Sequence, residues 1–214
     1  MSRPLRTLRR ETGAPDLVVL LPGAYMKPED FVEAGFFSAV ERRRLKLDIA
    51  AVELDLDTIS EGSAVADVLD QIVLPARQNH ERVWLGGISL GGLLTLSLNA
   101  DRPGTVDGLC LIAPYPGSRL TTKPIANAGG IDAWIPSAEQ LDDPEFRVYR
   151  WLKQVPDNLP AFIGYGTEDR FADGMATIAG RFPTPARQTI PGGHEWPVWQ
   201  LLWEHFLDLG YFAT

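Results

Sequence analysis

Residues 82–91 read Arg-Val-Trp-Leu-Gly-Gly-Ile-Ser-Leu-Gly and are followed by an apolar run at 93–99. The first part has the composition of a buried strand and the second part that of a helix. A serine hydroxyl becomes a useful nucleophile where a sharp turn between strand and helix holds it exposed. Such a turn strains the serine backbone and leaves no room for Cβ atoms two residues on either side, where Gly87 and Gly91 stand. The stretch therefore predicts a strand, a turn with Ser89 at its tip, and a helix.

The five-residue pattern at 87–91 also fits a glycine-rich turn without chemistry, or a phosphate-binding turn in another α/β fold. Which interpretation holds depends on whether the rest of the chain supplies a base and an acid for the serine.

Composition favours one globular domain over residues 1–214, since 45% of the residues are hydrophobic and 22% are charged. The net charge of −8 argues against binding to nucleic acid or to an anionic membrane. Cys110, the single cysteine, lies in an apolar run and is expected to be a buried strand residue, with a reactive thiol as the alternative. The basic residues 1–10 precede no apolar segment and no run could span a membrane, so we expect a cytoplasmic protein.

Short apolar runs alternate with helical patterns along the chain, which predicts an α/β fold with a mostly parallel sheet and helices on both faces. About six strands are predicted, at 16–21, 47–54, 83–86, 108–113, 159–165 and 186–190. The helical patterns lie at 28–44, 63–78, 90–99, 171–182 and 197–209.

The segment 117–158 interrupts this alternation, because it contains no strong strand and is rich in Pro, Gly and Asn at 121–130. A long excursion within a compact domain is usually functional. We therefore expect a small cap over the carboxyl edge of the sheet. The alternative is a surface excursion with a small core of its own.

His194 is the strongest candidate for the base, because its glycine-rich loop follows the last predicted strand and precedes the last helix. In a parallel sheet this loop lies at the same edge as Ser89. Of the two other histidines, His80 stands in a polar stretch and is expected to be solvated, and His205 falls within the last helix.

Asp169 is the expected partner of the base, because it closely follows the strand that ends at Tyr165. Glu168 and Asp173 are the alternatives. Asp173 has the position of an acid in the first turn of a helix.

When a serine attacks a carbonyl group, the carbonyl oxygen becomes an oxyanion, which needs preorganised N–H donors. The backbone N–H of Leu90, directly after the serine, is expected to be one of them. The loop after the first strand is expected to supply the other, from Ala24 or, second, from Tyr25.

These segments resemble the α/β-hydrolase superfamily, and in particular its small carboxylesterase-like members, over residues 16–209. The resemblance rests on Gly-Ile-Ser-Leu-Gly at 87–91, Gly-Thr-Glu-Asp at 166–169 and Gly-His at 193–194. It implies that Ser89 is the nucleophile, Asp169 the acid and His194 the base of a catalytic triad. It also implies a cap where the segment 117–158 lies.

Two features depart from the family pattern. Many members have His-Gly in the first oxyanion loop, where this chain has Pro22-Gly23. The leading antiparallel hairpin of the family is reduced here, with residues 5–9 as its only candidate.

The expected function is a serine hydrolase that cleaves an uncharged, largely apolar carboxylic ester of short to medium chain length through an acyl-enzyme. The substrate pocket is expected to include Tyr25, Trp134 and Trp196. No cofactor, metal or macromolecular partner is expected, and the chain is expected to be a monomer or a homodimer. The alternatives are a thioesterase, peptidase, haloperoxidase-like enzyme or acyltransferase with the same triad, or a non-catalytic binding protein.

Overall fold

The computed structural model describes residues 3–214, so residues 1 and 2 of the basic N-terminal stretch lie outside the described part. Its strands are β1 (Thr7–Arg10), β2 (Asp16–Leu21), β3 (Leu47–Val52), β4 (Arg82–Ile88), β5 (Gly108–Ile112), β6 (Ala161–Gly166) and β7 (Arg187–Ile190). They form one sheet in the order β1-β3-β2-β4-β5-β6-β7. The predicted α/β fold with a mostly parallel sheet is confirmed, with one strand more than the six that were predicted.

The additional strand is β1, which pairs antiparallel with β3 from Thr7 opposite Val52 to Arg10 opposite Ile49. The other pairs are parallel. The strand overlaps residues 5–9, the candidate for a remnant of the family hairpin, and extends one residue beyond them. Three of its four residues are polar, so this edge strand lacks the continuous apolar run by which the inner strands are recognised.

The helices within residues 3–214 are α1 (Pro28–Glu33), α2 (Phe36–Arg42), α3 (Leu56–Ser60), α4 (Ala64–Val68), α5 (Leu74–Ala76), α6 (Leu90–Asp101), α7 (Arg119–Asn127), α8 (Pro144–Leu152), α9 (Ala172–Ala179) and α10 (Trp196–Asp208). None of them combines the length and apolar character that a membrane span requires.

Two predicted helices are interrupted. The helix predicted at 28–44 divides into α1 and α2, because Gly35 adopts a left-handed φ of 80°. The helix predicted at 63–78 contains a π-helical turn at Leu69–Val73 between α4 and α5. This turn lies just before Pro75, whose missing N–H disturbs the regular helical ladder.

The sheet is buried on both faces, and alternate residues of β2 show how the core divides. Leu17 and Val19 pack in the cluster that contains α6 and α8, whereas Val18 and Leu20 pack with α1, α2 and α10. On the second face, the rings of Phe36 and Trp203 stack with their centroids 5.1 Å apart. The sheet is therefore held rigidly between two helical layers.

The segment 117–158 contains two helices that have different positions. α8 packs against α6, and Arg147 on α8 forms an ion pair with Asp101 at the end of α6. α8 thus serves as the crossover that joins β5 to β6. α7 follows the carboxyl end of β5 directly, and whether this part acts as a cap stays a prediction.

Glycines allow β2, β4 and α6 to meet at the carboxyl edge of the sheet. A Cβ atom on Gly87 would collide with the backbone of Gly91, and one on Gly91 would collide with the carbonyl oxygen of Leu21. Since all of these contacts involve backbone atoms, no side-chain rotation can relieve them. The sequence rule that both positions must be glycine is confirmed by these contacts.

We predict that Gly91→Ala lowers the free energy of unfolding by more than about 3 kcal/mol, because the new methyl group overpacks a rigid backbone contact. Urea unfolding followed by circular dichroism measures the change. Gly104→Ala is the control, because its φ of 79° gives a strain of about 1 kcal/mol while its Cβ would meet no atom within 4 Å. Equal losses in the two variants would contradict the packing explanation.

The expectation that His80 is solvated is wrong. Its side chain is only 8% exposed, and its Nε2 lies 3.3 Å from Asp48 Oδ2. Asp48 also accepts hydrogen bonds from the backbone N–H and the hydroxyl group of Thr12, at 2.7 and 2.8 Å. The polar sequence around His80 gave no sign of a partner that is 32 residues away.

Burial by itself raises the pKa of the Asp48 carboxyl, but the hydrogen bonds from Thr12 and His80 lower it more, so the pKa lies below its ordinary value. A lowered pKa in the folded state stabilises the fold above the ordinary pKa. This contribution is lost as the pH falls through the lowered value.

We predict that Asp48→Asn costs about 1 to 3 kcal/mol at neutral pH, because it weakens a buried, charge-assisted set of hydrogen bonds. The cost should shrink in acid, where the wild-type carboxyl is protonated. Urea unfolding at neutral and acidic pH measures both effects. The exposed Asp157→Asn serves as the control, and a pH-independent cost at Asp48 would contradict the electrostatic explanation.

Candidate active site

Ser89 occupies the junction between β4 and α6 in a strained conformation, with φ 53° and ψ −114°. Two backbone hydrogen bonds hold it there. Its N–H donates to the carbonyl of Ile112 at 3.1 Å, and its own carbonyl accepts from Tyr115 N–H at 2.8 Å. A positive φ at a residue with a side chain persists only where its surroundings impose it. The last residue of β5 and the segment that follows it therefore hold the turn that presents the serine hydroxyl.

His194 lies between Ser89 and Asp169 and contacts both through its ring nitrogens. Its Nε2 is 2.9 Å from Ser89 Oγ, and its Nδ1 is 2.5 Å from Asp169 Oδ2. The other carboxylate oxygen of Asp169 accepts the backbone N–H of Phe171 at 2.9 Å. The Asp169 side chain is fully buried, while 16% of the His194 side chain is exposed. The structure thus brings the three sequence-predicted residues together in one chain of hydrogen bonds.

Backbone hydrogen bonds join the loops after β6 and β7. They explain how Asp169 and His194, which are 25 positions apart, come into contact. Thr167 N–H donates to Ile190 O at 2.8 Å, and Glu168 N–H donates to Gly192 O at 2.9 Å. A Cβ atom on Gly166 would collide with the Gly192 carbonyl. The glycines in these loops therefore set the distance between the acid and the histidine.

The alternative acids and histidines lie elsewhere. Glu168 and Asp173 are exposed, and no hydrogen bond joins either side chain to His194 within residues 3–214. His205 is exposed on α10 and lies within the last helix, as predicted.

Two aromatic rings, which the sequence analysis did not assign to the site, hold the His194 ring from the sides. Phe171 and Trp199 both meet it edge to face, with centroid distances of 5.6 and 5.1 Å. Trp199 is buried, and its Nε1 has no hydrogen-bond partner among the described residues. The sequence offered one indication that these two rings belong to the site: Phe171 is close in sequence to Asp169, and Trp199 is close in sequence to His194.

The two segments expected to form the oxyanion hole lie side by side. Leu90 N–H is the first of α6, so it has no carbonyl partner within the helix. The loop after β2 turns back at Met26, whose N–H donates to Gly23 O at 3.2 Å, with Tyr25 at a φ of 64°. Gly23 N–H donates a hydrogen bond to the sulfur of Met26 at 3.1 Å. The choice of Ala24 or Tyr25 as the second donor stays a prediction.

One predicted pocket residue is wrong. Trp134 is only 2% exposed, its ring stacks on Phe146 at 5.6 Å, and its indole N–H donates to Gln140. Its ring is therefore part of the core beneath the surface of the 117–158 segment. An isolated Trp in a Gly-rich stretch carries no periodicity that distinguishes a core position from a pocket wall.

The two other predicted pocket residues differ in exposure. Tyr25 is 86% exposed at the tip of its loop. Trp196 is half-buried at the start of α10, with its ring against those of Phe31, Phe36 and Trp199. Their contact with a substrate stays a prediction.

A largely apolar groove of about 340 Å³ lies along α6 between α4 and α8, with Leu90 as its lining residue nearest to Ser89 in the chain; we call it the α6 groove. Its α6 wall consists of Leu90, Leu93, Leu94, Ser97 and Asp101, which lie along one side of the helix. Across the residues that the structure describes, no three His, Cys, Asp or Glu side chains are grouped so that they could hold a metal ion.

Comparison with solved structures shows the same fold in several hydrolases of low sequence identity. Est1E from Butyrivibrio proteoclasticus has 14% identity and a TM-score of 0.66, with 96% of this chain and 94% of that chain covered. An S-formylglutathione hydrolase from Staphylococcus aureus has 14% identity and a TM-score of 0.64, with coverages of 90% and 79%. A monoacylglycerol lipase from Paleococcus ferrophilus has 16% identity and a TM-score of 0.61, with coverages of 95% and 96%.

A search of curated protein sequences finds no significant match. The sequence model of the alpha/beta hydrolase family, however, matches residues 18–210, which begin within β2 and extend through α10. The chain therefore belongs to the alpha/beta hydrolase family.

Proposed function

We propose that this protein is a serine hydrolase that cleaves carboxylic esters through an acyl-enzyme. The observation that carries the proposal is the continuous set of hydrogen bonds from Ser89 Oγ through His194 to the buried carboxylate of Asp169. A serine hydroxyl at its ordinary pKa is a weak nucleophile, and a base within hydrogen-bond distance removes this limitation. Family membership and the esterase and lipase folds among the similar structures support the same class of reaction.

In the first half of the reaction, His194 Nε2 takes the proton of Ser89 as Oγ attacks the ester carbonyl. Asp169 accepts a hydrogen bond from Nδ1–H, so it fixes the tautomer in which Nε2 is free and stabilises the imidazolium that forms. The N–H groups of Leu90 and Ala24 are proposed to hold the oxyanion. His194 then gives its proton to the leaving alcohol.

In the second half, water replaces the alcohol and His194 activates it. The hydroxide attacks the acyl carbonyl, Ser89 is the leaving group, and it recovers the proton from His194. This sequence needs no metal or organic cofactor, because the three side chains supply every proton transfer.

The α6 groove is the proposed site for the acyl group. Leu90, which begins the groove, directly follows the nucleophile. Val65 on α4 and Val148 on α8 complete its apolar walls, while its far end reaches the Asp101–Arg147 ion pair. The apolar length near the serine favours a short to medium acyl chain. The same site would accept a thioester, which the substrate panel tests alongside the esters.

We predict that Ser89→Ala abolishes ester hydrolysis and covalent labelling by a fluorophosphonate probe, because the probe reacts only with an activated serine. Mass spectrometry of the labelled wild-type protein should place the modification on Ser89. Ser38→Ala, on α2, is the control and should label at the wild-type rate. A folded wild-type protein without labelling would contradict the proposal and favour a binding protein on the same fold.

We predict that Asp169→Asn lowers kcat by about 10³-fold or more, because the amide favours the wrong tautomer of His194. Glu168→Gln, at the adjacent exposed position, should retain kcat within about twofold of wild type. Hydrolysis of a neutral aryl acetate measures both variants, and circular dichroism verifies that they are folded. A comparable loss in Glu168→Gln would contradict the assignment of the acid.

A further inference from the structure

A second groove, of about 570 Å³, lies between α7 and the segment that connects β6 to α9; we call it the α7 groove. Its walls include Tyr115, Arg119, Lys123, Arg170 and Phe171. Arg119 and Lys123 are four residues apart and therefore lie on one face of α7. Arg170 directly follows the proposed catalytic acid. Two separate parts of the chain thus place basic side chains along the same groove.

The α7 groove shares its inner wall with the catalytic site. Tyr115 N–H donates to the carbonyl of Ser89 at 2.8 Å. The ring of Phe171 contacts Tyr115 at a centroid distance of 5.1 Å, and it contacts His194 at 5.6 Å. A ligand in the groove would therefore lie one layer of side chains from the reacting groups, on the side of His194.

The charge of the groove differs from that of the chain. The walls carry three basic residues and one acidic residue, Asp173, although the net charge of the protein is −8. Among the described residues, Arg119, Lys123 and Arg170 form no ion pair, whereas Arg147 and Arg181 are each bound to an aspartate. Unpaired basic side chains that line one concave surface attract an anionic ligand.

Two of the wall residues, Arg170 and Tyr115, have features that suit recognition of an anion. The guanidinium of Arg170 lies 4.7 Å from the centroid of Phe171, and this cation–π contact holds the charge at the inner wall. Burial raises the pKa of the Tyr115 hydroxyl, and the charge of Glu145 raises it further, against an opposing effect of Arg170. The hydroxyl therefore stays protonated and can donate a hydrogen bond.

The side on which the groove lies indicates the part of the substrate that it would hold. His194 must give its proton to the leaving oxygen, so the leaving group has to be next to His194. The α6 groove, which begins at Leu90, is left for the acyl group. The α7 groove, which lies beyond Phe171, is then available to the leaving alcohol or thiol.

We propose that the α7 groove binds an anionic group, a carboxylate or a phosphate, on the leaving part of the ester. This inference rests on the proposed ester hydrolysis and makes its substrate more specific. It also changes the expectation from the sequence, which was an uncharged ester. The pattern of basic residues at 119, 123 and 170 gave no sign that they meet at one surface.

The test compares acetate esters whose leaving phenols differ in charge at the para position. 4-Acetoxybenzoate and 4-acetoxyphenyl phosphate are anionic, and 4-acetoxybenzamide is their neutral partner. We expect kcat/KM to be at least about fivefold higher for an anionic ester than for the amide. A difference of about fivefold corresponds to the largest contribution that one exposed ion pair usually makes. The preferred anion identifies carboxylate or phosphate as the group that is recognised.

The preference should fall by about threefold to fivefold in Arg170→Gln and further in the double variant Arg119→Gln/Lys123→Gln, and it should weaken in high salt. Arg102→Gln removes the same charge from an exposed residue just after α6, at the opposite edge of the sheet, and should keep the preference. Fluorophosphonate labelling of Ser89 verifies in each variant that the serine is still activated, and the preference is taken as the ratio between anionic and neutral esters within one variant.

The possible failures of the two proposals are distinguishable. Equal or slower turnover of the anionic esters, with Ser89 labelled, would overturn the groove assignment and leave ester hydrolysis intact. A preference that persists in all groove variants, or that falls equally in Arg102→Gln, would also overturn it. Absence of labelling and of turnover for every ester would overturn the proposed function, and the groove assignment with it.

Discussion

The structure depends on a close approach of three backbone segments at the carboxyl edge of the sheet. Gly87 and Gly91 let the end of β4 and the start of α6 meet, and Gly91 also lies against the carbonyl of Leu21 at the end of β2. Without a Cβ at these positions, the turn between them can carry Ser89 in its strained conformation. The same contact brings the first loop, with Ala24 and Tyr25, beside the first N–H groups of α6. One steric constraint thus positions both the hydroxyl and the donors proposed for the oxyanion.

The part of the site that contains His194 also depends on a close approach of two backbone segments, and here hydrogen bonds join them. The loop after β6 donates backbone hydrogen bonds to the end of β7 and to the loop that follows it, and the short distance between Gly166 and Gly192 permits them. Asp169 is completely buried, and both of its carboxylate oxygens have donors. A buried carboxylate without such partners would be strongly disfavoured. The geometry of the acid is therefore fixed by folding, before any substrate binds.

The sequence predicted the sheet, most helices and the meeting of Ser89, Asp169 and His194, because parallel strands bring their carboxyl ends to one edge whatever their order. It failed where a residue depends on a partner from a distant segment. His80 is in a polar stretch but pairs with Asp48, and Trp134 is in a Gly-rich stretch but stacks on Phe146. Neither pairing leaves a local pattern. The same reason explains why Phe171 and Trp199 around the histidine were missed.

The α6 groove is largely apolar and the α7 groove is basic, because the helices that line them pack differently in the fold. α6 is the central helix of one face of the sheet, and its exposed strip beside Ser89 stays apolar where α4 and α8 approach it. α7 packs on the core through Thr121 and Ile125, whereas Arg119 and Lys123 are exposed and can carry unpaired charge. Arginines that serve the fold, such as Arg82 with Asp16 and Arg147 with Asp101, have acidic partners. Within residues 3–214, Arg119, Lys123 and Arg170 lack such partners and line one concave surface close to Ser89, an arrangement that suits the proposed electrostatic recognition of an anionic substrate.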